Sequence, residues 1–113
     1  MTDSDFSPLG VLEEQILVAV VRTRDEAYGM QVRREIERVT ERDLAIGAVY
    51  ATLDRLEAKG FVTSHRATTD DGPSRRIFAL SAAGARALAE TRLMRERLWR
   101  GVDVQRLLTL SRA

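Results

Sequence analysis

The chain has 113 residues, a formal net charge of +1, 44% hydrophobic and only 5% aromatic residues, so one small domain with a core of Leu, Val, Ile and Ala is expected. It holds no cysteine and a single histidine, His65, which excludes disulfides, thiolate metal sites and a cysteine nucleophile and argues against a bound metal. No run approaches the roughly 18 apolar residues of a membrane span, and Met1–Gly10 carries Asp3 and Asp5 but no basic stretch; a cytoplasmic protein without a cofactor is expected.

Charge is unevenly distributed. Residues 1–30 hold six acids and two bases, a net of −4, whereas residues 86–113 hold seven arginines and three acids, a net of +4. Opposite ends of this kind favour packing of the first helix on the last.

A first helix is expected over Leu9–Arg22, where Leu9, Leu12, Ile16 and Val20 form one apolar stripe and Val11, Leu17, Val18 and Val21 fill much of the remaining circumference. A helix apolar on so many sides wants cover on most of them. After a polar break at Thr23–Ala27, Tyr28-Gly29 opens a second helix to about Thr40, with Met30, Val32, Ile36 and Val39 on its buried side. A third helix over Gly47–Lys59 places Ile46, Val49, Leu53 and Leu56 on one face and ends at Gly60. Two strands follow, Phe61–Ala67 and Arg75–Leu80, joined through Asp70-Asp71-Gly72-Pro73, with Phe78 and Leu80 expected against Val62. Ser81 has the position of an N-cap for a last helix from Ala82 to about Gly101; Asp103–Ala113 adds at most a short turn.

The order helix, helix, helix, hairpin, helix gives the fold class: mainly α with a β-hairpin, a winged helix-turn-helix over residues 1–80 followed by a C-terminal dimerisation helix over 81–113. The third helix, 47–59, would be the recognition helix and residues 61–80 the wing. A helix fits the major groove and reads it with its outward residues, which here are Gly47, Ala48, Tyr50, Ala51, Asp54 and Arg55. Small Gly47 and Ala48 let the helix N-terminus approach a phosphate, and Tyr50 and Arg55 can reach the backbone. Asp54 suits that face only if it orients Arg55. On the wing, Arg66, Arg75 and Arg76 suit phosphates or a narrow minor groove, and His65 reads as a surface strand residue.

Three motifs then resemble the PadR family: Tyr28-Gly29 at the start of helix two, the run Gly47–Val62 with tyrosine, leucine, Arg55-Leu56-Glu57 and Gly60 in register, and Arg75–Gly84 at the second wing strand and the start of the last helix. Phe78 stands where the family usually has tyrosine. The resemblance implies a bacterial transcription regulator, a repressor that binds double-stranded DNA at a near-palindromic operator as a homodimer joined through its first and last helices. Leu12, Ile16, Met94, Leu98 and Trp99 are the candidate interface residues. Some members bind flat aromatic or cationic compounds between the last helices, which makes Trp99 and Met94 candidate walls of an effector pocket; the arginines around them favour an anionic or neutral aromatic ligand over a cationic one. The competing reading is a winged-helix module that binds protein without DNA. An enzyme is not expected, because His65 has no evident catalytic partner.

Overall fold

A computed structural model describes residues 7–69 and 72–112. The helices among the described residues are α1 (Val11–Thr23), α2 (Gly29–Thr40), α3 (Ile46–Ala58), α4 (Ala82–Trp99) and α5 (Val104–Ser111), with a 3-10 turn, Arg24–Glu26, between α1 and α2. The antiparallel strands β1 (Val62–Thr69) and β2 (Gly72–Leu80) form the hairpin between α3 and α4. The fold is therefore mainly helical with a two-stranded wing, in the expected order. Both strands run further toward the hairpin tip than expected. Thr69 and Gly72 are paired across the turn, whose central residues Asp70 and Asp71 lie outside the described residues.

One core joins the first three helices and the hairpin. Ile16, Leu17, Ala19 and Val20 of α1 meet Val32 and Ile36 of α2, Val49, Leu53 and Leu56 of α3, and Val62 and Phe78 of the wing. The three-and-four spacing on α3 is why that helix buries one face and leaves the other free. The α3 terminus is closed by a left-handed Gly60 (φ +80), with the Gly60 N–H donating to the Glu57 carbonyl and the Phe61 N–H to the Leu56 carbonyl, both at 2.9 Å. This Schellman arrangement satisfies the last carbonyls and turns the chain directly into β1.

The wing is fastened near its base at two points. The Phe78 N–H donates to the Ala27 carbonyl at 2.8 Å, so the α1–α2 connection lies along β2. At the base, the Ser81 N–H donates to the Phe61 carbonyl, and the Ser81 hydroxyl accepts the Gly84 N–H at 3.0 Å, capping α4 as expected. A Cβ on Gly84 would fall 2.0 Å from the Phe61 carbonyl oxygen; only glycine lets α4 start this close to the wing.

Packing of α4 on α1 uses one of the expected charge complementarities. Buried Glu14 pairs with Arg95, and the Leu9 N–H donates to the buried Thr91 hydroxyl at 3.1 Å. Glu13 instead pairs with Lys59, the residue that follows α3, at 2.7 Å.

Several sequence expectations are corrected here. Ile16 has no exposed surface at all, so it belongs to the protomer core and has nothing to present to a second subunit; the exposed apolar residues of α1 are Val11, Val18 and Val21. Val39 is 54% exposed, because it sits on the lip of a groove between α1 and α2 that Val11, Val18 and Ile36 also line. Leu98 and Val102 near the end of α4 are exposed in the protomer. Beyond Trp99 the chain turns at left-handed Gly101 and forms a true helix, α5, capped by the Asp103 carboxylate, which accepts the Gln105 N–H at 2.9 Å.

Candidate nucleic-acid interface

The α3 face opposite the core is open. Gly47, Ala48, Tyr50, Ala51, Asp54 and Arg55 are all exposed, as the helical spacing of the core residues requires. Ala45 at the N-cap offers no side-chain acceptor and the first turn carries no acid, so the leading N–H groups of α3 stay uncapped and the positive end of the helix dipole is not neutralised. A Cβ on Gly47 would meet nothing within 4 Å in this chain. Smallness there serves no internal packing need; it leaves room for something outside the chain.

Tyr50 has a defined seat. Its ring lies on buried Gly29 at the start of α2, where an added Cβ would fall 2.4 Å from Tyr50 Cε1 and 2.7 Å from the hydroxyl oxygen. The tyrosine is still 40% exposed. Gly29 at the start of α2 and Tyr50 of α3 are thus one packing unit across the helix-turn-helix. No signal in the sequence joined them, since 21 positions separate Gly29 from Tyr50.

Strand register separates the wing arginines. Ser64 opposes Phe78 and Arg66 opposes Arg76, placing these four on the face toward α3, whereas Ala67 opposes Arg75 on the other face. Arg75 stacks over the Tyr28 ring with its guanidinium carbon 4.4 Å from the centroid, beside a cleft that His65, Ala67 and Ile77 also line. Arg66 donates to the Ser74 hydroxyl at 3.5 Å. Among the described residues neither Arg66 nor Arg75 has a carboxylate partner.

Arg76 is placed differently. It pairs with Asp54 at 2.8 Å and also with Glu57, both on α3. Asp54 therefore orients Arg76 on the wing, and not its neighbour Arg55, whose guanidinium donates to the buried Thr52 hydroxyl at 3.2 Å. The Ser64 hydroxyl, and then the Arg76 guanidinium, hold the Glu57 carboxyl below its ordinary pKa.

At the far end of the molecule, Leu98 is 71% exposed, Trp99 47% and Met94 half-buried, and every described residue of α5 is exposed. No helix among the described residues is long and apolar enough to cross a membrane.

A three-helix core with a hairpin wing and a free third-helix face defines a winged helix-turn-helix protein. Residues 16–90 match the transcriptional regulator PadR-like family, and the chain belongs to that family. It is 37% identical over 78 residues to the transcriptional regulator Rv3488 of Mycobacterium tuberculosis, which spans 69% of this chain and 71% of the relative. Among solved structures, a PadR-like transcription factor from Bacteroides fragilis is similar with a TM-score of 0.70 and 22% identity, over 82% of this chain and 87% of that one. Bacillus subtilis PadR, solved in complex with operator DNA, is similar with a TM-score of 0.62 and 20% identity, over 74% of this chain and 47% of that one. These likenesses support the fold, and the family is one of transcriptional regulators rather than enzymes.

Proposed function

We propose that this chain regulates transcription by binding double-stranded DNA as a homodimer, with α3 in the major groove and the hairpin alongside. The observation that carries the reading is the outward row of α3: an uncapped N-terminus, a glycine with open space around it and a seated but exposed Tyr50, all beside a wing bearing Arg66 and Arg75. In this reading Gly47, Ala48 and Ala51 admit the DNA backbone and base edges, Tyr50 and Arg55 hold phosphates or sugars, and the wing adds electrostatic contacts.

The dimer rests on exposed apolar surface. Leu93, Leu98, Trp99, Leu107, Leu108 and Leu110 are each 43–71% exposed, a concentration that marks an interaction site more than a monomer surface. Leu12, Met94, Leu98 and Trp99 are the proposed interface residues, and a two-fold pair would present two α3 helices to successive major grooves. The regulator acts as a repressor, and a small aromatic effector beside Trp99 and Met94 would shift the spacing of the two α3 helices only if it prefers one arrangement of subunits.

Footprinting on the DNA upstream of the chain's own gene tests this. Two protected patches whose centres are about 34 Å apart, or a multiple of that, are expected. No protection, together with capture of a protein partner through the same α3 face, would favour the protein-binding winged helix. Light scattering at micromolar concentration should give a dimer, and planar phenolic acids should quench Trp99 fluorescence and release DNA. Quenching without release would remove the effector role.

A further inference from the structure

Arg75 and Arg76 are adjacent basic residues of β2, yet they leave the strand on opposite faces. All three guanidinium nitrogens of Arg76 are engaged inside the chain. Nε donates to the Ser64 hydroxyl at 3.2 Å, Nη1 to Asp54 Oδ1 at 2.8 Å and Nη2 to Glu57 Oε1. The Ser64 hydroxyl donates in turn to Glu57 Oε2 at 2.6 Å, and the guanidinium carbon lies 4.7 Å from the Phe78 ring centroid. One side chain thus ties both wing strands to two successive turns of α3.

We infer that Arg76 is a positioning residue, not a phosphate contact: it clamps the wing to the recognition helix and offsets part of the negative charge of Asp54 and Glu57 on the face turned toward DNA. The inference rests on the DNA-binding reading above. The side chain of Asp54 is 60% exposed on the outward row of α3, where an unpaired carboxylate would repel phosphates. Arg76 supplies the opposing charge from within the chain. Two carboxylates share one guanidinium, so the cluster itself is net negative, and the attraction of the wing for DNA falls to Arg66 and Arg75. The register supports the same division. Arg66 and Arg76 stand directly opposite each other, a like-charge pair that is unfavourable unless one member turns away, and Arg76 turns onto α3. Three acceptors around a planar fork also require arginine, because a lysine ammonium cannot reproduce that geometry.

The test uses the intact chain in two measurements: hydrogen exchange of the hairpin amides without DNA, and binding to upstream DNA followed by fluorescence anisotropy across a salt series. Arg76→Gln and Arg76→Lys are both expected to speed exchange in β1 and β2. Each should weaken DNA binding roughly tenfold while the salt slope stays within about half a unit of the parent, because no phosphate contact is lost. Adding Asp54→Asn and Glu57→Gln to Arg76→Gln should restore most of the affinity, since the repelling charges are gone. A phosphate contact would give the opposite pattern: Arg76→Lys binding like the parent, Arg76→Gln flattening the slope by about one unit, and no rescue. Unchanged hairpin exchange in both Arg76 variants would also overturn the clamp. If the parent chain binds no DNA, the DNA-binding reading fails, and the exchange measurement still decides whether Arg76 fastens the wing.

Discussion

The winged-helix body and the C-terminal arm differ in what covers their apolar side chains. Between Ile16 and Phe78, twelve hydrophobic residues are buried in one cluster drawn from α1, α2, α3, their connections and the hairpin. Beyond Thr91 no described residue is buried, although Leu93, Leu98, Trp99, Leu107, Leu108 and Leu110 are all large and apolar. The body completes its core within one chain. The arm carries the same kind of side chain with only partial intramolecular cover, which is the surface expected of an association element. The two regions should therefore respond differently to the same kind of truncation.

The largest effect is expected in the body. Phe78→Ala removes a ring that is 1% exposed and should cost about 3–5 kcal/mol of stability at every protein concentration. Leu107→Ala in the arm should cost the dilute protomer no more than about 0.5 kcal/mol, and should instead weaken the rise of melting temperature with concentration that association produces. Equal losses from the two truncations at the lowest measurable concentration would erase the distinction between body and arm.

A smaller effect separates folding from function inside the body. Gly29→Ala places a Cβ where the Tyr50 ring now lies, so the ring must swing off its seat. DNA affinity should fall roughly tenfold, equivalent to about 1.4 kcal/mol, while the melting midpoint moves by only a few degrees because the displaced group is the end of a half-exposed side chain. Unchanged affinity would show that the seat of Tyr50 does not matter for binding.

The smallest effect is electrostatic. Arg38, and secondarily Arg22, lower the Glu35 pKa to about 2 through side-chain hydrogen bonds. A carboxylate with a depressed folded-state pKa stabilises above its unfolded value near 4.5, and that stability is lost as pH falls through about 2. Glu35→Gln should therefore leave melting nearly flat between pH 7 and 5 and reduce the acid-side slope between pH 4.5 and 2. An unaltered acid limb would mean that the contacts to Arg38 and Arg22 do not persist in solution.

The sequence carried the body well because its signals are periodic. Ile46, Val49, Leu53 and Leu56 set the orientation of α3, and with it the exposed row, and Gly60 marked where the helix ends. Contacts across the fold carry no such signature. Adjacency in sequence pairs Asp54 with Arg55, yet its partner is Arg76, 22 positions further on, placed there by strand alternation. The reason for Gly29 lies in Tyr50. Helix one, apolar nearly all round, gave no means of telling which sides its own chain covers, which is why Ile16 was expected at an interface and proves to be core. In α5, eight residues are too few for periodicity to distinguish a helix from a loose end.

The central claim is that α3 and the wing together engage DNA. Its most direct test is the salt dependence of binding to upstream DNA for the parent chain and for Arg66→Ala combined with Arg75→Ala. The parent should show a steep linear fall of log affinity with log salt, and the double variant a slope flatter by about two units, one for each lost phosphate contact. Identical slopes would place the wing off the DNA, and a parent slope near zero would contradict DNA binding by this surface altogether.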